Sequence, residues 1–294
     1  MIVKLTDIIP KVEEVIKNPE KHGYKLPMYE DLYSFQLGRT TYFAGIPSHG
    51  KSTFLFETLI QLSERYGLKH VIFAPEEGTT EEVYATLLSM ITRKKNKTGA
   101  YNKLTNVDLY NESAFINEHF NVVESNEKAF SPYELLDGIK DFIKQNFINT
   151  IMIDPWNELR HNFSEHGGRQ DVYLERVLGD IRLFSRNNNV HTFIVAHPRT
   201  LQKLKDSDKY EPPTAFEFSG GATWYAKADG IVCVYRPNEF SEIVSQQTQV
   251  DIIIQKAKRG IGKKGIIKMD FDIDSQRYKY NNENIDIVRD ITPF

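Results

Sequence analysis

Gly45-Ile-Pro-Ser-His-Gly50-Lys51-Ser52-Thr53 is the stretch on which the reading of this chain turns. Binding a triphosphate requires glycines, which let the backbone curl until several N–H groups point inward. It also requires a lysine that reaches the β- and γ-phosphates and a hydroxyl that holds a metal ion. Gly45, Pro47, Ser48, His49, Gly50, Lys51, Ser52 and Thr53 supply that set in P-loop order. The flanks agree with it. Residues 40–44 are an apolar run that reads as a strand, and residues 53–66 read as a helix whose first N–H groups add to the anion site. The motif predicts binding of ATP or another nucleoside triphosphate, with Mg²⁺ held at Ser52.

Bulk properties narrow the class. The 294 residues suffice for one large α/β domain or two small ones. Hydrophobic residues make up 40% of the chain, enough for a buried core, yet no apolar stretch approaches the length of a membrane span. The start, Met-Ile-Val-Lys-Leu-Thr-Asp, lacks the signal-peptide pattern, so the expected location is cytoplasmic. The single cysteine, Cys233, excludes an internal disulfide and a cysteine-based zinc ribbon; inside an apolar run it reads as a core thiol. A net charge of −3 means that any nucleic-acid contact must come from local basic patches.

Short β-rich runs alternate with amphipathic stretches, the signature of an α/β fold with a mostly parallel sheet covered on both faces. Strands are expected near 40–44, 70–74, 120–123, 150–153, 192–196, 230–235, 250–254 and 266–271. Ser131-Pro-Tyr-Glu134 is a helix start, with a capping serine, proline in the first turn and an acid. Leu135, Leu136, Ile139, Phe142, Ile143 and Phe147 continue it, and Leu174, Val177, Leu178, Ile181 and Phe184 form a second helical stripe. Residues 8–17 read as an N-terminal helix and 24–37 as an irregular arm before the core. Residues 94–99 and 241–249 read as surface loops.

Four further segments give the P-loop a catalytic neighbourhood. Ile151-Met-Ile-Asp154 is a buried strand ending in a carboxylate, which suits Asp154 to hold Mg²⁺ through water. Phe73-Ala-Pro-Glu76-Glu77 places a carboxylate where it can polarise the attacking water. Thr192-Phe-Ile-Val-Ala-His197 ends another apolar strand in a group able to touch the γ-phosphate. The basic hairpin Gln255-Lys256-Ala-Lys258-Arg259-Gly-Ile-Gly-Lys-Lys-Gly265 is either a solvated turn or a cationic finger for a neighbour's nucleotide. A second basic stretch carries Arg199, Lys203, Lys205 and Lys209 and leads to Ser219-Gly220-Gly221, a composition suited to a loop approaching a phosphate backbone.

Taken in order, these motifs, with Ile-Asp-Pro-Trp-Asn-Glu158 and Ser219-Gly-Gly-Ala-x-Trp-Tyr-x-Lys-Ala-Asp229, resemble those of DnaB-type hexameric replicative helicases. The Twinkle-like and phage primase–helicase branch is the nearest match. The resemblance implies a RecA-like P-loop NTPase core with a twisted, mostly parallel sheet and an antiparallel C-terminal extension. It implies an N-terminal arm at 1–36, the ATPase core at 37–282 and a tail at 283–294. It further implies a homo-hexameric ring that translocates 5′-to-3′ on single-stranded DNA and hydrolyses ATP at subunit interfaces. Lys51 would bind the β- and γ-phosphates, Ser52 and Asp154 the Mg²⁺; Glu76 would be the catalytic acid–base residue and His197 the γ-phosphate sensor. The family's trans-acting pattern is Lys-x-Arg. Here Lys256 fits its first position, Lys258 stands at its second, and the arginine is displaced to Arg259, the candidate finger. No room is left for a zinc-binding or primase module, so a separate primase is expected. The competing readings are a RecA/RadA-like recombination ATPase and a KaiC-like regulatory ATPase.

Overall fold

The computed structural model describes residues 2–17, 23–97, 99–125, 129–164, 167–204, 209–280 and 283–284. In chain order the first elements are α1 (Ile9–Lys17), β1 (Tyr24–Lys25), β2 (Ser34–Phe35), β3 (Thr40–Gly45), α2 (Lys51–Tyr66), β4 (His70–Phe73), α3 (Thr80–Thr92) and α4 (Asn106–His119). Next come β5 (Phe120–Val122), α5 (Pro132–Ile143), β6 (Thr150–Ile153), α6 (Gln170–Asn187), β7 (His191–Val195) and α7 (Gly221–Lys227). The chain then forms β8 (Gly230–Tyr235), β9 (Gln249–Ala257), β10 (Gly265–Asp272), β11 (Arg277–Tyr280) and β12 (Glu283–Asn284).

Among the described residues, ten strands form one sheet in the order β12-β11-β10-β9-β8-β3-β7-β6-β4-β5. The strands from β8 to β5 are mutually parallel, and β9 to β12 extend the sheet antiparallel. All eight expected strands are present within a few residues. Side chains alternate between the two faces as a pleat demands. Phe43, Val232 and Val234 point into the core under α2, α3 and α4, whereas Tyr42, Ala44, Ile231 and Cys233 point into that under α5, α6 and α7. Cys233 is a buried free thiol, as its apolar surroundings predict.

Local chemistry explains the helix starts. Thr79, Thr105 and Ser131 each accept from the backbone N–H three residues on, while Glu82, Asp108 and Glu134 answer back to the cap N–H. The expectation of an irregular arm needs revising. Tyr24 and Lys25 pair with Phe35 and Ser34 as a small hairpin, and Leu26, Met28, Tyr29, Tyr33 and Phe35 are buried. Tyr29 meets Phe35 edge-on at 5.0 Å. These aromatics follow neither strand nor helix spacing, so periodicity gave no sign of them. Helix α4 also escaped notice: its buried residues are only Asp108, Ile116 and His119, which make no stripe.

A buried ion pair joins α2 to β11. Arg277 donates to Glu57 from Nε at 2.5 Å and Nη2 at 2.8 Å, with Glu64 at 3.6 Å and the Met90 carbonyl at 3.2 Å. Both side chains are almost fully enclosed, so removing one partner strands a charge in a low-dielectric core. Glu57→Ala is expected to cost about 3–5 kcal/mol in denaturant unfolding, whereas replacing both residues by apolar ones of similar volume costs far less. An equal cost for the single and the paired replacement would remove the ion pair from the account.

Candidate active site

Strands β3, β7, β6 and β4 are consecutive in the sheet and parallel, so the loops after them open on one edge. Those loops carry the P-loop, His197, Asp154 and Glu76, respectively. The P-loop passes directly into α2, whose first residue is Lys51. Lys51 is 6% exposed and its Nζ donates to the Ile46 carbonyl at 3.0 Å. Burial lowers its pKa, and the charges of Asp154 and Glu76 oppose that shift.

Asp154 is buried, accepts a hydrogen bond from Ser52, and leaves its Oδ2 without a partner. Burial pushes its carboxyl up to about 7, the Ser52 bond opposing and the nearby Glu77 and Glu76 charges adding to the effect. A buried, unpartnered carboxylate oxygen beside a hydroxyl and a lysine is the donor set that a phosphate-bound divalent cation completes. Among the described residues no three His, Cys, Asp or Glu converge into an all-protein metal cage. Mg²⁺ fits this arrangement because it takes its remaining ligands from phosphates and water.

Glu76 faces His197, with Oε2 and Nε2 3.4 Å apart. The His197 backbone N–H donates to Asn157 Oδ1 at 3.2 Å, so the loop after β6 steadies the loop after β7. Burial lowers the His197 pKa and Lys51 adds to this, while Glu76 opposes, which keeps the imidazole neutral near pH 7. Glu77 instead borders a separate cavity with Glu82 and Gln276, although its charge still reaches Asp154.

Beside the P-loop lies a cavity of about 290 Å³ walled by His49, Arg236, Gln247, Phe271 and Tyr278. The Tyr278 hydroxyl donates to the Gly50 carbonyl at 3.3 Å. His49 Nδ1 accepts the Arg236 N–H at 2.9 Å, so its Nε2–H donates to Glu239 at 3.0 Å. Arg236 Nη2 in turn donates to the Gln247 carbonyl at 2.8 Å. Sequence reading missed Arg236, Glu239 and Tyr278, because the loop after β8 and strand β11 carry no motif.

The basic hairpin lies at the other end of the sheet. Tyr235 and Gly45 end neighbouring strands at the P-loop edge, whereas Ala257 pairs with Gly230, ~17 Å away at the rise of a strand. Lys256 donates to the Tyr225 carbonyl and lies 4.6 Å from that ring's centroid. Lys258 donates to the buried Asp229 at 2.8 Å, which also draws in Arg182 at 3.0 Å and Arg39 at 3.4 Å. Arg259 is exposed at the turn and has no side-chain partner among the described residues.

In the second basic stretch, the Arg199 side chain is exposed. Lys203 lies over Tyr210 at 5.9 Å, Lys209 donates to the Pro237 carbonyl at 3.0 Å, and Lys205 falls outside the described residues. Gly220 precedes α7, and a Cβ on Gly221 would stand 2.2 Å from the Phe216 carbonyl oxygen. Close backbone packing therefore requires glycine at 221.

The sequence profile of the DnaB-like helicase C terminal domain matches residues 28–280. This chain belongs to the DnaB-like helicase C-terminal domain family. It is 26% identical over 212 residues to the Twinkle homolog protein, chloroplastic/mitochondrial, of Arabidopsis thaliana, which covers 70% of this chain and 29% of that relative. The chain thus spans less than a third of that relative's length. A solved structure of an isolated ATPase domain superposes with a TM-score of 0.72 at 16% identity, covering 95% of this chain and 99% of that one. A DnaB-like replicative helicase, described with its interactions with primase, superposes at 0.71 and 14% identity, covering 95% and 67%. The RecA-like fold expected from the motifs is therefore present, and a nucleotide-binding P-loop is part of this DnaB-like domain. Its family match starts at residue 28, inside the buried arm. No described helix is long and apolar enough to cross a membrane.

Proposed function

We propose that this chain is the ATP-driven motor of a replicative DNA helicase, acting as a homo-hexameric ring on single-stranded DNA. The observation that carries this reading is the basic hairpin at the sheet edge opposite the P-loop, with Arg259 exposed. A cation ~17 Å down the sheet from its own P-loop cannot reach its own γ-phosphate. If it acts on a triphosphate, that triphosphate belongs to a neighbour, and the active site is complete only between subunits. Lys256 and Lys258 are held within the chain, which favours Arg259 as the finger.

Within one subunit, Lys51 binds the β- and γ-phosphates of ATP, and Ser52 and Asp154 hold Mg²⁺, which neutralises charge on the phosphate oxygens. Glu76 accepts a proton from the attacking water as the water oxygen bonds to the γ-phosphorus. The β–γ bridging bond breaks and ADP leaves with the electron pair. Neutral His197, held through Asn157, is suited to sense the γ-phosphate and pass its state to the loop that follows. Arg199, with Lys203, Lys205, Lys209, Gly220 and Gly221 on that loop, is the proposed DNA contact. Binding there is mostly to phosphate, so affinity falls as salt rises. A separate primase is a further proposed partner.

The test is assembly and trans activation. With a non-hydrolysable ATP analogue and single-stranded DNA, a closed hexamer is expected; an open filament would point to a recombinase. Specific ATPase activity is expected to rise with protein concentration until assembly is complete. Arg259→Ala is expected to bind nucleotide and assemble but lose about a thousandfold in turnover. Turnover at the wild-type rate would remove Arg259 from the site.

A further inference from the structure

The hairpin that carries Arg259 is fastened to the segment just ahead of β3. Gln36 Nε2 donates to the Gly260 carbonyl, directly after Arg259, at 2.9 Å. Ser34 N–H donates to the Ile261 carbonyl at 2.8 Å, and Lys263 N–H to the Leu32 carbonyl at 2.9 Å. Ile261 is buried in the contact. Gly262 has φ 152°, and a Cβ there would stand 2.1 Å from the Leu32 carbonyl oxygen, so the approach requires glycine. On the other flank Lys258 is pinned to Asp229 at 2.8 Å. Arg259 stands between these two fastenings with its side chain exposed.

The segment beneath the hairpin is itself tied down. His191 Nδ1 lies 2.7 Å from the Gln36 carbonyl, which can only accept, so Nδ1 carries the proton and Nε2 accepts. Thr41 therefore donates to His191 Nε2 at 2.8 Å, and the Tyr33 hydroxyl donates to Thr41 at 2.7 Å. Burial holds the His191 pKa down to about 4, which preserves the neutral tautomer that this chain of bonds needs. Thr41 and His191 belong to β3 and β7, the strands whose far ends carry the P-loop and His197.

A finger must place its guanidinium within a fraction of an ångström of the developing charge, and a loose turn would have to be ordered anew at each cycle. We propose that residues 32–36 are the seat of this finger and that Gln36 is a positioning residue for hydrolysis at the neighbouring subunit's site. This rests on the reading of Arg259 as the trans-acting cation.

The test uses Gln36→Glu in the whole chain, which keeps the reach of the side chain but replaces the donor with a carboxylate facing a carbonyl. Gln36→Ala repeats it without added charge. In the assembled protein kcat is expected to fall about tenfold, with KM for ATP and nucleotide affinity within about twofold of wild type. Mixing either variant with Lys51→Ala is expected to raise activity above the average of the two proteins alone. Where the Gln36 variant supplies the P-loop and the Lys51→Ala subunit supplies seat and finger, the site is whole. A lesion that merely disturbed the variant's own fold would not be relieved by that partner. Arg259→Ala is run in parallel. If it is impaired while both Gln36 variants keep kcat within about twofold of wild type, the seat is overturned and the finger stands. A loss of kcat that mixing does not relieve also overturns the seat. Wild-type turnover in Arg259→Ala overturns the reading on which it rests.

Discussion

Lys51→Ala is expected to abolish tight nucleotide binding. The Lys51 ammonium is nearly enclosed and has only the Ile46 carbonyl as a hydrogen-bond partner, an arrangement suited to receiving a triphosphate. Hydrogen bonds from a cation to phosphate are about twice as strong as neutral ones, and enclosure raises their worth further. Affinity for ATP in the presence of Mg²⁺ should fall by about a hundredfold or more, measured by titration with a fluorescent analogue or by calorimetry. Folding should be little affected, because the wild-type charge is itself opposed by burial. Retained tight binding would remove the P-loop from the mechanism.

Glu76→Gln separates binding from chemistry. Glutamine keeps the size of the side chain and a hydrogen bond toward His197, but it cannot accept the proton of the attacking water. ATP affinity should stay within about threefold of wild type while kcat falls by about a hundredfold to a thousandfold. Glu77→Gln is the paired control. Glu77 borders the cavity with Glu82 rather than facing His197, so its loss should be mild. A steep loss at Glu77 with a mild one at Glu76 would move the catalytic register by one residue.

The nucleotide edge of the molecule was legible in the sequence because each part is local. A strand ending in Gly45, Glu76, Asp154 or His197 announces itself by an apolar run and the polar residue that stops it. The sheet then gathers those stops without further information, since parallel strands present their ends on one edge. What the sequence withheld depends on distant pairing. Arg277 and Glu57 lie 220 positions apart, and nothing local marks either as half of a buried ion pair. The buried arm was illegible because Met28, Tyr29, Tyr33 and Phe35 obey no single period. Three cations in Lys256-Ala-Lys258-Arg259 read alike until Tyr225 and Asp229 are seen to engage the two lysines.

The most direct measurement is strand displacement on a forked duplex with a 5′ single-stranded tail, at saturating ATP and Mg²⁺. The account predicts release of the annealed strand by the wild-type protein. It predicts no release with a non-hydrolysable analogue, or by Glu76→Gln protein that still binds nucleotide and DNA. Vigorous DNA-stimulated hydrolysis by an assembled wild-type ring, with no strand displaced from forks bearing either tail, would contradict it.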